Sequence, residues 1–225
     1  MKLTFTSKSP DEILKQNKTG VLNFQNLYSV YLFNSHQEFK GAIASPDNFI
    51  FPDGRILSFF LKTKQVRGPS FTRHFLQTQI SNKQKHFFIL PEIKDLELLI
   101  EKYPKLKNSK AHSPSYIKNS TFSEQEIESI LEQIKKAKPT HIWICIGNPK
   151  QEILANQLYK KYLALYFNVG AATDFLLEKK KEVPLVFRRL GVEWLYRFVT
   201  DFKHSKHKVI KSLVGLQYIG KARTK

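Results

Sequence analysis

Only one cysteine, Cys145, occurs in 225 residues. An intramolecular disulfide is therefore excluded. Cys145 lies inside a strand-like apolar run, where a buried structural thiol is expected. Long apolar runs are also missing, and none reaches the roughly 18 residues that a membrane-crossing helix needs. The opening MKLTFTSKSPDEILK has no secretory apolar core. The expectation is a cytoplasmic protein, peripheral on the inner face of the cell membrane. Acidic residues are scarce, with 19 Asp and Glu against 37 Lys and Arg, a formal net charge of +18. Such a field favours polyanions: nucleic acid, anionic lipid or phosphate-bearing substrates. No zinc-finger, RRM or KH pattern accompanies it, so nucleic acid is not an expected partner. What is abundant is apolar and aromatic character, 41% and 13% of residues, enough for a sizeable core.

Strand-like and helix-like stretches alternate along the chain. SPDEILKQ predicts a short capped helix. YSVYLF predicts a strand ending at Asn34. HQEFKGAIA predicts a short helix. NFIFPDGRILSFFLK predicts a strand, a turn at Pro52-Asp53-Gly54 and an apolar helix. HFFIL predicts another strand, followed by an amphipathic helix in PEIKDLELLIEKYPKL. KNSKAHSPSYIKNS reads as a loop, with His112 as a surface residue. SEQEIESILEQIKKA opens on a capping-box pattern, Ser123 with Glu126. The alternation continues to about Leu177 without a break in composition. This predicts an α/β fold: one doubly wound, Rossmann-like, mostly parallel sheet with helices on both faces, over residues 1–178.

Three clusters of chemically capable residues lie between Gly147 and Arg197. GNPKQE joins the strand-like THIWICIG to a helical EILANQLYKKYL. Asn148 fits an N-cap, Pro149 the first helical position and Gln151 a capping box. The same junction in a parallel sheet aims N–H groups at a ligand, which would make Asn148 and Gln151 ligand contacts. Both readings stay open on spacing alone. The strand-like LALYFNVG is followed by AATDF, so Asp174 sits just past a strand end, as a helix-start residue or as part of the same edge. RRLGVEWLYR sets Arg188, Arg189 and Arg197 about Glu193, a ladder of helix ion pairs or an anion-binding cluster. Asp53 and Asn34 also fall at predicted strand-to-helix junctions. In a parallel sheet all such junctions share the carboxyl edge, where open α/β folds bind ligands.

GNPKQE, VGAATDF and RRLGVEWLYR resemble, in order and spacing, motifs of the WecG/TagA/CpsF family of bacterial glycosyltransferases, glycosyltransferase family 26. The resemblance covers nearly the whole chain and is strongest after about Pro139. It implies that Asp53, in PDG, is the catalytic base. It implies binding roles for Asn34, as the asparagine after the first long strand, for Gln65 and Arg67 in QVRGPSF, and for Glu152 in GNPKQE. Two positions depart from the family pattern: Leu32 stands where the family threonine is expected, and Gln65 where many members have arginine. The resemblance implies a UDP-sugar donor, N-acetylmannosamine-like, and a polyprenyl-diphosphate-linked acceptor in cell-surface polysaccharide synthesis. No Asp-x-Asp pair is present to hold a metal on a nucleotide diphosphate, so no metal or other cofactor is expected. Leaving-group charge would fall to arginines and N–H dipoles, with inversion at the anomeric carbon. The competing reading is a catalytically impaired member that serves as a basic nucleotide- or lipid-binding module.

Residues 179–225 differ in character. After EKKKEVP, the apolar residues Leu195, Phe198, Phe202, Val209, Leu213 and Leu216 recur at helix-like intervals among Lys203, Lys206, Lys208 and Lys211. The expectation is a basic helical C-terminal appendage that meets an anionic membrane surface, packs on the domain, or does both. Homo-oligomerisation is left open.

Overall fold

The computed structural model describes residues 2–117, 120–190, 196, 199, 200 and 202–224, with the backbone alone for 188–190 and 202–205. Parallel strands form the centre. β1 (Leu3–Phe5), β2 (Gly20–Gln25), β3 (Asn48–Pro52), β4 (His86–Ile89), β5 (Lys110–His112), β6 (His141–Ile144), β7 (Leu165–Asn168) and β8 (Ala222–Thr224) follow in chain order. Six of them make one sheet in the order β3-β2-β7-β6-β4-β5, and β1 pairs with β8 in a small second sheet. Every pairing among the described residues is parallel.

The helices are α1 (Pro10–Gln16), α2 (Leu27–Ser35), α3 (Gln37–Ile43), α4 (Arg55–Phe60), α5 (Gly68–His74), α6 (Asp95–Lys102), α7 (Glu124–Ala137), α8 (Lys150–Tyr159), α9 (Ala172–Leu176), α10 (Leu185–Leu190) and α11 (Phe202–Gln217). The alternation of side chains along each strand feeds two cores. Leu22, Phe88, Trp143 and Phe167 enter one with Phe71 and Phe75, while Val21, Phe87, Ile142 and Tyr166 enter the other with α7 and α8. Trp143 and Phe167 stack with centroids 4.3 Å apart. The Trp143 indole N–H donates to His86 Nδ1 at 3.1 Å. Burial depresses the two neighbouring imidazoles, His86 to about 3 and His141 to about 4.

The doubly wound parallel fold expected from the alternation is present. Two local expectations are not. YSVYLF is helical, inside α2, and the strand is the preceding GVLNFQ. Asn23 and Gln25 interrupt the apolar pattern of that strand, yet both are fully buried and hydrogen-bonded. Asn168 donates to Asn23 at 2.7 Å, and Asn23 donates to Asn48 at 2.7 Å, a polar ladder across β7, β2 and β3. In turn α2 carries apolar residues around most of its circumference because Val30, Leu32 and Phe33 are covered by β1, α3 and β3 residues. The loop expected after Lys107 contains the edge strand β5, and His112 is half-buried between Glu126 at 2.8 Å and Gln133 at 2.9 Å.

The C-terminal segment returns to the domain. α11 packs along α2, with Val209 and Gly215 buried. The ammonium of Lys211 lies 5.4 Å from the Tyr31 ring centre and that of Lys208 6.0 Å from Tyr28. β8 then pairs with β1, joining the two ends of the described chain. A side chain at Gly215 would overlap the Leu27 carbonyl oxygen, so only glycine permits this approach. Gly215→Ala should therefore lower stability by about 1–3 kcal/mol, the scale of overpacking. Gly41→Ala, in α3 where a methyl group meets nothing within 4 Å, should be neutral or mildly stabilising. Thermal unfolding of the two variants checks the contrast, and equal melting temperatures would refute the tight contact.

Candidate functional site

The carboxyl ends of β3, β2, β7 and β6 lie side by side, and four loops leave from them. Asp53 follows β3 directly. Its N–H donates to the Gln25 carbonyl at 2.7 Å, which extends the ladder one residue past the strand. The segment from Gln65 to Gly68 folds back over this end. Val66 N–H donates to the Pro52 carbonyl at 2.9 Å, and Gly68 N–H donates to Asp53 Oδ2 at 3.4 Å. Gly68 lies against the Phe24 side chain and the Val169 carbonyl, at the ends of β2 and β7. Asp53, Gln65 and Arg67 thus share one corner. Gln65 Nε2 is buried there without a hydrogen-bond partner among the described residues. Glu182 approaches Arg73 at 2.5 Å and Arg67 at 3.9 Å.

GNPKQE forms the second wall. Gly147 (φ 80°) and Gly170 (φ 58°) turn their N–H groups inward, and both donate to Gln151 Oε1, at 3.2 and 3.0 Å. One side-chain oxygen therefore ties the loops after β6 and β7 together. The Gln151 amide N–H donates onward to Glu152 Oε1 at 2.9 Å, and Gln25 Nε2 donates to the same oxygen at 2.8 Å. Asn148 donates to Gln25 Oε1 at 3.1 Å and to Ser29 Oγ at 2.9 Å. These bonds correct the helix-start reading. Pro149, after a cis peptide bond, occupies the cap position of α8 with no side-chain cap bond. Asn148 and Gln151 instead bridge to Gln25 and Ser29 and to the Gly147 and Gly170 loops.

Glu152 is 2% exposed, and its Oε2 has no hydrogen-bond partner among the described residues. Burial pushes its carboxyl above the usual carboxylate range, against the pull of the Gln151 and Gln25 amides and the charge of Lys208. Asp174 stands in the short α9 and pairs with Lys180 at 2.5 Å. Cys145 is buried near the end of β6, and burial pushes its thiol up to about 12, consistent with an inert structural role.

Asn34 is the placement that changes. It lies in the last turn of α2, where its amide donates to the Val30 carbonyl at 2.8 Å. The residue that follows the strand is Asn26. It caps α2 reciprocally with Ser29, each side chain accepting from the other's backbone N–H at 3.3 Å. The asparagine that directly follows the strand is thus Asn26, and the residue two before it is Phe24, while Asn34 and Leu32 both lie within α2. Phe24 packs on Phe51 and Phe71. Sequence reasoning also missed Gln25 and Ser29. The available signal was the Asn26-x-x-Ser29 start pattern in front of an apolar helix.

Arg188 and Arg189 have backbone positions in α10, and their side chains lie outside the described residues, as do Glu193 and Arg197. Among the described residues no group of three His, Cys, Asp or Glu side chains is arranged to hold a metal ion.

The upward shift of the Glu152 carboxyl sets a pH dependence. Between 4.5 and its raised folded value, the carboxyl stays protonated in the fold while the unfolded chain ionises. Folding is therefore penalised increasingly as pH rises through that window. Glu152→Gln keeps the acceptor for Gln25 and Gln151 and has no charge to form. Its melting temperature should gain on that of the parent as pH rises above 4.5, and a difference independent of pH would show that Glu152 folds ionised. Gln151→Ala leaves the Gly147 and Gly170 amides unpaired and should cost about 1–3 kcal/mol, read by denaturant unfolding.

The profile of the glycosyl transferase WecG/TagA/CpsF family matches residues 4–222. An N-acetylglucosaminyldiphosphoundecaprenol N-acetyl-beta-D-mannosaminyltransferase of Staphylococcus aureus strain NCTC 8325 / PS 47 is 32% identical over 130 residues, 56% of this chain and 47% of the relative. The protein of the same name from strain MRSA252 is 33% identical over 132 residues, with the same shares. The match thus spans about half the length of these curated relatives. The family match runs from β1 to the start of β8, across the sheet, the bridged loops and the C-terminal helix, and by it the chain belongs to the WecG/TagA/CpsF family of glycosyl transferases.

Proposed function

We propose that this chain transfers an N-acetylmannosamine-like hexose from a UDP-sugar to a polyprenyl-diphosphate-linked acceptor, with inversion and without a metal ion, in cell-surface polysaccharide synthesis. The observation that carries the reading is the corner at Asp53. A carboxylate past a strand end stands on the sheet edge whose loops, after β6 and β7, are tied together by Gln151. The Staphylococcus aureus relatives, named as N-acetylmannosaminyltransferases acting on N-acetylglucosaminyldiphosphoundecaprenol, support the transferred sugar and the acceptor class.

In this reading the acceptor hydroxyl oxygen attacks the anomeric carbon on the face opposite the nucleotide. The new C–O bond forms as the bond from that carbon to the diphosphate oxygen breaks, and UDP departs. Asp53 takes the hydroxyl proton as general base. Positive side chains meet the charge that develops on the diphosphate. Arg67 lies on the Asp53 side of the site, and the basic segment of Arg188, Arg189 and Arg197, with Glu193 within it, supplies the rest. Asn148, Gln151, Glu152 and Asp174 shape the nucleotide end, and Asn26 takes the place assigned to Asn34. The basic α11 segment would hold the protein at an anionic membrane surface, where the acceptor resides.

The test is transfer of labelled sugar from UDP-sugars to a diphosphate-linked acceptor by the purified full chain. Asp53→Asn should lower turnover about 10²-fold or more, with UDP binding retained in calorimetry. Near-normal turnover would remove Asp53 from the base role. UDP binding without any transfer would favour the nucleotide-binding module, the reading that the departures at Leu32 and Gln65 suit, with Phe24 in the place of Leu32 once Asn26 is taken for Asn34.

A further inference from the structure

Phe59 and Phe60 end α4, the helix that begins two residues after Asp53. They are 79% and 56% exposed, and their rings meet edge to face at 5.9 Å. Every other phenylalanine whose side chain is described is buried or half-buried. The exposure is built into a fixed element. Leu57 is fully buried beneath the pair, and Ser58 Oγ donates to the Gly54 carbonyl at 2.9 Å. The helix end is closed by Leu61 N–H to Leu57 at 3.0 Å and Lys62 N–H to Phe59 at 3.1 Å. Thr224 Oγ donates to the Leu61 carbonyl at 3.0 Å, so the C-terminal strand braces the same turn.

The segment that carries the pair is basic. Arg55, Lys62 and Lys64 flank it and are exposed, and no Asp or Glu occurs in sequence between Asp53 and Glu92. Two projecting aromatic rings with a cationic rim complement an anionic bilayer: rings enter the acyl boundary, and ammonium groups stay with the phosphates. Among the described residues no helix is long and apolar enough to cross a membrane, so contact through such a surface is made from one face.

We propose that the Phe59–Phe60 end of α4 is a membrane-contact surface, taking anionic phospholipid at a point distinct from the basic C-terminal helix. Its place gives it a purpose under the transferase reading, on which this part alone rests. Along the helix axis Phe60 lies about 7.5 Å from Arg55, at 1.5 Å per residue, and Arg55 is two residues past Asp53. A lipid-linked diphosphate held in the bilayer would then present its sugar hydroxyl at the height of the carboxylate.

The experiment uses the full chain and vesicles of phosphatidylglycerol with phosphatidylethanolamine, against phosphatidylcholine alone, in co-sedimentation. Phe59→Ser/Phe60→Ser should weaken binding to the anionic vesicles about tenfold or more, each ring being a large apolar group withdrawn from water. Circular dichroism should be unchanged because neither ring is in the core. Phe59→Trp should retain binding, and its emission should shift to the blue on adding anionic vesicles. Lys62→Glu/Lys64→Glu should weaken binding most at low salt. Undiminished binding by the double serine variant would overturn the proposal. So would a parent chain that forms a dimer lost in that variant while vesicle binding persists, since a second copy would then cover the rings. No sugar donor or acceptor enters these measurements. A chain that binds through α4 but transfers no sugar would therefore refute only the transferase reading.

Discussion

Two backbone amides pointing at one side-chain oxygen hold the candidate site together. Gly147 and Gly170 leave different strands, β6 and β7, and both donate to Gln151 Oε1. Their N–H groups lie past the last ladder pairing and would otherwise be unsatisfied, which is costly where water is excluded. Gln151 also donates to Glu152, which accepts from Gln25 on β2. Three strand ends far apart in sequence are thereby set in one arrangement, and Asp53 is tied to it through its N–H bond to Gln25. Among the described residues one carboxyl oxygen of the buried Glu152 has no hydrogen-bond partner, and burial shifts the group toward its neutral form, which lowers the cost of enclosing it.

The C-terminal segment is held by the same kind of local detail. Its lysines lie over the tyrosines of α2, its glycine allows backbone approach to Leu27, and its last strand pairs with the first. Packing and basicity do not compete on this helix. Val209 is buried while Ile210 and Leu213 are 56% and 47% exposed, so one face is used by the domain and another remains outside. The helix packs on α2, whose Ser29 accepts from Asn148, and the charge of Lys208 opposes the upward shift of Glu152.

The errors of sequence reading have specific causes. YSVYLF has the β-branched and aromatic content of a buried strand, but α2 is a helix covered on several sides, and such a helix needs no polar face. GVLNFQ carries two amides that argue against a central strand. Asn23 and Gln25 are nonetheless central because Asn168, Asn48, Glu152 and Asn148 satisfy them from neighbouring elements. Moving the strand moves the junction asparagine from Asn34 to Asn26. In the same way Asn148 and Gln151 have the spacing of a cap and make none, since better partners arrive from β2 and the Gly170 loop.

By itself the sequence determined the alternation of elements, the capped starts of α1 and α7, the excess of positive charge and the junctions at Asp53, Gln151 and Asp174. These depend on residues within a turn or two of one another, where periodicity, caps and turn formers act. The tertiary structure alone decided which junctions are neighbours, which amides are bridges and which aromatic residues stay outside. The order β3-β2-β7-β6-β4-β5 joins segments separated by more than a hundred residues. A hydrogen bond near 3 Å between such segments is a property of that order and not of any local spacing.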